Sequence, residues 1–142
     1  MIREYRESDR VEFMSLYIRS NSQGQSYLPL SFWAKDAEEV VGEHLPLSKT
    51  WLHVEEGQVL GAISLVDGEI AGLFVSPDHW RLGIGTALME RAKKESPRLR
   101  LTVFKLNAGA ISFYSKAGFV IDGESVCPLT GLETYEMNIR QA

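Results

Sequence analysis

Two glycines lie between a predicted strand and a predicted helix, and they are the first candidates for chemistry. Gly83 and Gly85 flank the start of an apolar pattern with helical spacing in residues 84–92. A helix start presents unpaired N–H groups and the positive end of a dipole, and glycine lets an anion approach the backbone. The turn therefore predicts either a phosphate site, with Thr86 adding a hydroxyl donor, or a tight bend that leads into a packed helix.

Two familiar phosphate motifs are excluded by the residues after these glycines. A P-loop requires Gly-Lys-Ser/Thr, whereas Gly85 is followed directly by Thr86. The dinucleotide fingerprint requires a third glycine where this chain has Leu88. These residues do not exclude a site for the diphosphate of another cofactor.

Composition narrows the class of protein further. The 142 residues are 44% hydrophobic and 24% charged, with a net charge of −4, which predicts a single domain over residues 1–142 and no nucleic-acid partner. Cys127 is the one cysteine, so an intramolecular disulfide and a cysteine-rich metal site are excluded. The charged N-terminus and the lack of a long apolar run predict a cytoplasmic protein without a signal peptide or membrane span.

The periodicity of apolar residues predicts an α/β sheet of mixed direction, in which a helix joins two parallel strands. The predicted strands are 2–5, 51–55, 59–66, 70–75, 99–104, 119–126 and 133–139. The predicted helices are one capped by Ser8 or Asp9, residues 32–45 with Ser31 as cap, one after the glycines, and residues 107–116. The polar segment 20–31 is predicted to be a loop, and Glu56-Gly57 and Asp67-Gly68 are typical of hairpin turns.

A second motif follows the strand at residues 99–104. Its sequence, LNAGAISFYSKAGF, spans residues 106–119. Together with Val75-Ser76-Pro77 and the two glycines, it resembles the GNAT superfamily of acetyl-CoA-dependent N-acetyltransferases. The matching positions of this second motif are Asn107, Ala110, Phe113, Tyr114, Gly118 and Phe119. The resemblance implies a mostly antiparallel, splayed sheet of about seven strands flanked by about four helices.

The resemblance also implies roles for individual residues. Backbone N–H groups from residues 82–86 would hold the pyrophosphate of acetyl-CoA, and the strand-end amides of residues 74–75 would lie beside its pantetheine arm and orient the thioester. Asn107 would cap a helix and bond the arm, and Arg81 would add positive charge. Tyr114 would donate a proton to the leaving thiolate. The implied cofactor-binding residues are Leu73, Phe74, Val75, Arg81, Leu82, Gly83, Ile84, Gly85, Thr86 and Asn107.

The chain departs from the family pattern at two positions. Trp80 stands where the family usually has Gln or Arg. Thr102 stands where some relatives that acetylate protein N-termini have a glutamate. Glu69 and His53 are alternative bases that would act through water, and no base is assigned.

The resemblance implies an N-acetyltransferase, in which an amine attacks acetyl-CoA directly in a ternary complex. The acceptor stays open between a lysine side chain, a protein N-terminus and a small cationic amine, and Tyr27 and Trp33 either shape its cleft or only pack. The alternative is a non-catalytic acyl-CoA-binding regulatory module. No metal and no membrane partner are expected, and the chain is expected to be a monomer or a homodimer.

Overall fold

Seven strands form one sheet in the computed structural model, which describes residues 1–141. Within this range the β4–β5 pair is parallel and the other neighbouring pairs are antiparallel, in the order β1-β2-β3-β4-β5-β7-β6. This confirms the mixed, mostly antiparallel sheet. The strands are β1 (Ile2–Glu4), β2 (Lys49–Glu55), β3 (Gln58–Val66), β4 (Glu69–Val75), β5 (Arg98–Phe104), β6 (Val120–Val126) and β7 (Glu133–Arg140).

Four α-helices accompany the sheet, as the sequence predicts. They are α1 (Arg10–Gly24), α2 (Leu30–Glu39), α3 (Ile84–Glu95) and α4 (Ala108–Lys116). Both predicted hairpin turns are confirmed, because φ is 49° and 77° along Glu56-Gly57 and 48° and 81° along Asp67-Gly68. None of the helices in residues 1–141 has the length and apolar character that a membrane span requires.

The prediction of a loop over residues 20–31 is wrong at both ends. Helix α1 continues to Gly24, so the connection to α2 is limited to residues 25–29. Polar side chains favoured a loop, but here they make contacts within the fold. The Ser20 hydroxyl donates to the Val75 carbonyl, and the Asn21 side-chain amide donates to the Tyr17 carbonyl.

The predicted helix at residues 32–45 is also corrected. Helix α2 begins at Leu30 after Pro29, and no side chain caps it, so Ser31 is not its cap. The α-helix ends at Glu39 and continues as a π-helical turn over Val40–His44. A 3₁₀ turn over Leu45–Leu47 then includes a proline, which has no N–H to extend a helix.

Each face of the sheet carries its own hydrophobic core. On one face, Leu101 of β5 and Met137 of β7 pack in a cluster with Leu88 of α3 and Tyr114 of α4. On the other face, helix α1 packs against the middle of the sheet through residues such as Phe13, Leu52, Ala62 and Phe74. The two helical layers therefore lie on opposite faces.

The sheet opens between its two central strands. β4 and β5 are paired at one position, Glu69 with Arg100, near the beginning of both strands. β5 and β7, by contrast, are paired at every residue from Arg98 to Phe104. This confirms the splayed sheet, because the C-terminal half of β4 has a partner only on its β3 side.

Candidate active site

A cleft of about 490 Å³ opens where β4 and β5 separate. Its volume is in the range of sites for small-molecule ligands. It brings together residues from the end of α1, the end of β4, and the first turns of α3 and α4 on the opposite face. Its lining is Ser20, Asn21, Gly24, Gln25, Leu73, Phe74, Val75, His79, Trp80, Arg81, Gly83, Ile84, Gly85, Thr86, Asn107, Gly109, Ala110, Phe113 and Tyr114.

The start of α3 supplies backbone donors to this cleft. The Ala87 N–H makes the first bond to the Gly83 carbonyl, at 3.0 Å. The N–H groups of Ile84, Gly85 and Thr86 therefore precede the first helical bond and have no partner within the helix. Gly83 has φ +83°, and a Cβ there would meet no heavy atom within 4 Å. This arrangement suits an anion.

The two glycines lie in different surroundings. A Cβ on Gly85 would lie 3.4 Å from the Phe113 ring and 3.9 Å from Val75, which are ordinary van der Waals contacts. Close packing of α3 against α4 and the end of β4 therefore does not by itself require a glycine at residue 85. The open space at Gly83 is compatible with the phosphate interpretation.

Arg81 and Leu82 precede Gly83 in an exposed turn. Arg81 has φ +67°, which is uncommon and strained for a residue with a side chain. Left-handed residues in such turns direct successive N–H groups into a concavity that binds anions. Arg81 lines the cleft, whereas Leu82 lies outside its lining and is 68% exposed. Of the eleven predicted site residues, Leu82 is the one that the cleft lining does not include.

The backbone of β4 presents alternate residues to its two sides. The Ser76 N–H donates to the Leu60 carbonyl of β3 at 2.7 Å. Because hydrogen-bonded pairs alternate along an antiparallel ladder, the amide and carbonyl of Phe74 also face β3, while those of Leu73 and Val75 face the gap. The Phe74 amide is therefore turned away from the gap, although the residue lines the cleft.

The carbonyl of Val75 already has two hydrogen-bond donors. The Ser20 hydroxyl donates to it at 2.9 Å, and the Trp80 indole N–H donates to it at 2.8 Å. Ser20 belongs to α1 and Trp80 to the turn before α3, so this one oxygen links three elements. The position with the unusual tryptophan is thus part of the cleft wall.

Tyr114 lies at the inner end of the cleft and is 8% exposed. Burial alone raises the pKa of its phenol to about 12. Its ring stacks edge-on with Phe113 and Phe119, with centroids 5.6 and 5.7 Å away. The side chain is both a core aromatic and a protonated hydroxyl beside the cleft, which is what a proton donor requires.

Asn107 caps α4 as predicted. Its side-chain oxygen accepts a hydrogen bond from the Ala110 N–H at 3.2 Å, and its backbone carbonyl accepts one from Ile111 at 3.1 Å. The cap uses only the oxygen of the side-chain amide, so the Nδ2 hydrogens remain donors at the cleft wall.

The candidate bases lie outside the main cleft. Glu69 is at the beginning of β4, paired with Arg100, at the closed end of the gap. His53 lines a neighbouring cavity of about 400 Å³ that shares His79, Gly83 and Ile84 with the cleft. Burial lowers the pKa of His53, and its Nδ1 is buried without a hydrogen-bond partner. Thr102 is exposed on β5.

The two predicted acceptor-side residues, Tyr27 and Trp33, lie in different surroundings. The Tyr27 ring lies edge-on to Phe104, with centroids 6.0 Å apart, so the α1–α2 connection reaches the end of β5. Trp33 is 4% exposed and packs against Tyr17 and Phe32, which favours the packing interpretation. Cys127 lies in a different part of the chain, between β6 and β7. Burial raises the pKa of its thiol, but hydrogen bonds from Thr130 and Leu129 together outweigh burial and lower the pKa.

Sequence reasoning missed the contribution of α1 to the cleft. Ser20, Asn21, Gly24 and Gln25 line it, although they are far from both motifs in the sequence. Their polar character predicted a loop and gave no sign that one turn of helix faces the end of β4. A serine and a glycine at helical spacing, in residues 20–24, were the available signal for a close helix–strand contact.

Comparison with known proteins agrees with this geometry. The model of the acetyltransferase (GNAT) family matches residues 1–119. Peptidyl-lysine N-acetyltransferase YiaC of Escherichia coli (strain K12) is 34% identical over 122 residues, which cover 85% of this chain and 84% of that protein. Peptidyl-lysine N-acetyltransferase YjaB of the same organism is 30% identical over 125 residues, with 87% and 84% covered.

Solved structures show the same fold. The solution structure of apo YjaB from Escherichia coli has a TM-score of 0.86 at 28% identity, covering 100% of this chain and 98% of that one. The crystal structure of PaiA N-acetyltransferase from Thermoplasma acidophilum, in complex with coenzyme A, has a TM-score of 0.82 at 17% identity, with 99% and 98% covered. At that identity the second likeness shows the fold alone.

Proposed function

Because the chain belongs to the GNAT family of acetyltransferases, we propose that it transfers the acetyl group of acetyl-CoA to the side-chain amine of a peptidyl lysine. Family membership makes the chain an acyltransferase and argues against the non-catalytic binding module. One observation carries the proposal. The cleft combines a helix start with unpaired N–H groups, the free edge of a strand and a buried tyrosine side chain.

The donor would lie along the cleft with its diphosphate at the start of α3. The N–H groups of Ile84, Gly85 and Thr86 would donate to its oxygens, with Arg81 adding positive charge at the same turn. The pantetheine arm contains amides, so it can pair with the free edge of β4 as an added strand would. The Asn107 side chain would donate to the same arm from the opposite wall.

The reaction proposed is direct attack of the acceptor amine on the thioester. The amine nitrogen forms a bond to the carbonyl carbon, the C–S bond breaks, and sulfur leaves with the electron pair. The Tyr114 hydroxyl gives its proton to that sulfur, and the proton that the attacking neutral amine loses passes through water to restore the Tyr114 hydroxyl. The Val75 N–H faces the gap and would orient the thioester by an interaction of the oxyanion-hole kind.

Two observations support lysine as the acceptor. The YiaC and YjaB relatives, at 34% and 30% identity, are both named peptidyl-lysine N-acetyltransferases. In addition, the net charge of −4 favours approach of a cationic acceptor. Thr102 stands where some relatives that modify protein N-termini have glutamate, and this also favours the lysine side chain over a terminal amine.

The acceptor is tested with a set of matched peptides and acetyl-CoA, read out by mass spectrometry. One peptide has a blocked N-terminus and one lysine, the second has arginine in place of that lysine, and the third has arginine and a free N-terminus. We expect acetylation of the first peptide alone. Acetylation of only the third peptide would contradict the lysine assignment, and loss of activity in Tyr114→Phe would tie the product to this cleft.

A further inference from the structure

The oxygen of Val75 has no remaining capacity for an ordinary hydrogen bond. A backbone carbonyl has two lone pairs, and here the Ser20 hydroxyl and the Trp80 indole N–H occupy both, at 2.9 and 2.8 Å. Both donors come from outside the sheet. The strand edge that faces the gap is therefore already paired at this position, although β5 has moved away.

The same oxygen lies on the path of the proposed donor. Leu73 and Val75 direct their backbone groups into the gap, and an amide-containing arm that pairs with this edge meets the Val75 carbonyl at its end. An arm amide can donate to that oxygen only if one of the two resident donors leaves. This step rests on the proposed function, because it needs a pantetheine arm in the cleft.

The two resident donors differ in how firmly they are held. Ser20 is 6% exposed and belongs to the fifteen-residue helix α1. Trp80 is 44% exposed and belongs to the turn between a 3₁₀ segment and α3, next to the strained Arg81. The indole is the donor that can move without disturbing a packed element.

Gly24 leaves the indole free of side-chain obstruction on the α1 side. A Cβ at this position would lie 3.6 Å from Cζ2 and 3.7 Å from Cη2 of Trp80, which is ordinary van der Waals contact. The side of the indole that faces α1 therefore meets no side chain at this position, and space for about one methyl group separates the ring from the helix backbone. The indole N–H holds the end of β4.

We infer that Trp80 is a specificity-determining residue for the acyl donor, because its indole N–H competes with the donor for the Val75 carbonyl and must release it when the donor binds. In the free protein the indole keeps the strand edge satisfied. In the complex an amide of the donor replaces it. A thioester without an amide close to the sulfur does not need this oxygen, so the competing indole weakens the binding of pantetheine thioesters relative to simple ones.

The test is calorimetric titration of acetyl-CoA into the parent chain, Trp80→Phe and Ser20→Ala. Phenylalanine keeps an aromatic ring but has no N–H, so we expect acetyl-CoA to bind about threefold to tenfold more tightly, the effect of one ordinary hydrogen bond. Ser20→Ala also frees one lone pair and should tighten binding. The double variant should gain little beyond either single change, since the donor needs one lone pair.

Tryptophan fluorescence gives an independent readout of the same step. Trp33 and Trp51 are 4% and 3% exposed, so quenching by acrylamide reports mainly on Trp80. We expect acetyl-CoA to increase this quenching in the parent, and Trp80→Phe to abolish the change. A thermal melt of each variant confirms that it is folded.

The outcomes separate this inference from the proposed function. Unchanged or weaker binding by Trp80→Phe, or unchanged Trp80 quenching in a saturated parent, would overturn the inference and leave the acetyltransferase proposal intact. Binding by none of the folded proteins would overturn both. Binding by Trp80→Phe but not by the parent would support both the inference and the acetyltransferase proposal. The indole would then compete strongly enough for the Val75 carbonyl to prevent binding of acetyl-CoA to the parent.

Discussion

The two edges of β5 differ in how far they are paired with the neighbouring strands. Toward β7, the strand is paired from Arg98 to Phe104 without a register shift. Toward β4, it is paired only at Arg100. Both edges belong to the same seven residues, so the difference does not come from the β-forming tendency of that segment. The difference comes from the neighbouring elements, because β7 pairs with one edge and the cleft lies at the other.

The closed edge of β5 is anchored in the hydrophobic core. Leu101 and Met137 face each other across β5 and β7, and both are almost completely buried beneath α3 and α4. The strand is therefore held on one side while its other side opens into the cleft. A free strand edge normally invites pairing with another chain, and here that edge lines a cleft of the size that small-molecule ligands occupy.

The largest expected effect is on the anion-binding start of α3. Gly83→Glu places a carboxylate where the diphosphate would lie, and its charge opposes the donor in a site built for anions. We expect acetyl transfer to fall to background in a protein that remains folded, measured by peptide acetylation and circular dichroism.

The control for this change is Gly57→Glu. Gly57 has φ +77° and open space around it, so the substitution imposes the same backbone strain and charge at a turn outside the cleft. Activity close to that of the parent is expected. Equal losses in both variants would mean that strain, and not the anion site, accounts for the effect.

The next largest effect is on the chemical step. Tyr114→Phe removes the hydroxyl that would protonate the thiolate, and we expect kcat to fall about 100-fold with little change in KM, as for loss of a general acid. Tyr5→Phe is the control, since Tyr5 is a half-buried tyrosine outside the cleft lining, and its hydroxyl is buried without a hydrogen-bond partner. Equal kcat values for parent and Tyr114→Phe would remove Tyr114 from the mechanism.

A change at the closed edge should affect stability alone. Met137 is 1% exposed, and Met137→Ala leaves a cavity that costs about 2–5 kcal/mol of unfolding free energy. We expect a lower denaturation midpoint with kcat unchanged at temperatures where the variant is folded. A fall in kcat without a change in stability would mean that packing at the closed edge also affects catalysis at the open edge.

The smallest effect is expected from alkaline pH. Burial raises the pKa of Tyr114 to about 12, so its phenol stays protonated through neutral and moderately alkaline pH. The pKa difference contributes to folding stability in full below the unfolded-state pKa of about 10. This contribution is lost as the pH rises from there through the folded-state pKa. The kcat profile should therefore show no decline due to Tyr114 below pH 10. A decline near pH 8 that disappears in Tyr114→Phe would contradict this.

Much of the fold follows from local patterns in the sequence. All seven strands and four helices were predicted, and so was the parallel pair of β4 and β5, because alternation, helical spacing and turn residues agree over most of the chain. Gly83 and Asn107 were predicted as site residues because close approach of an anion to the backbone favours glycine, and a helix N-cap favours asparagine. Cellular location and oligomeric state stay predictions.

The misses lie where tertiary contacts outweigh local preference. Ser20 favours a loop in isolation, yet its hydroxyl is satisfied by the Val75 carbonyl and the helix continues past it. Which amides of β4 face the gap depends on register with β3, which periodicity does not specify. The bond from Trp80 to Val75 likewise joins residues whose pairing no sequence spacing encodes.

Amide hydrogen exchange with and without saturating acetyl-CoA reports on the open edge of β4 residue by residue, and it is therefore the decisive measurement. We expect the Leu73 and Val75 amides, which face the gap, to become protected in the complex. The Phe74 amide, which is already bonded toward β3, should keep its exchange rate. Unchanged exchange at both Leu73 and Val75 in a saturated complex would contradict binding along the open edge of β4.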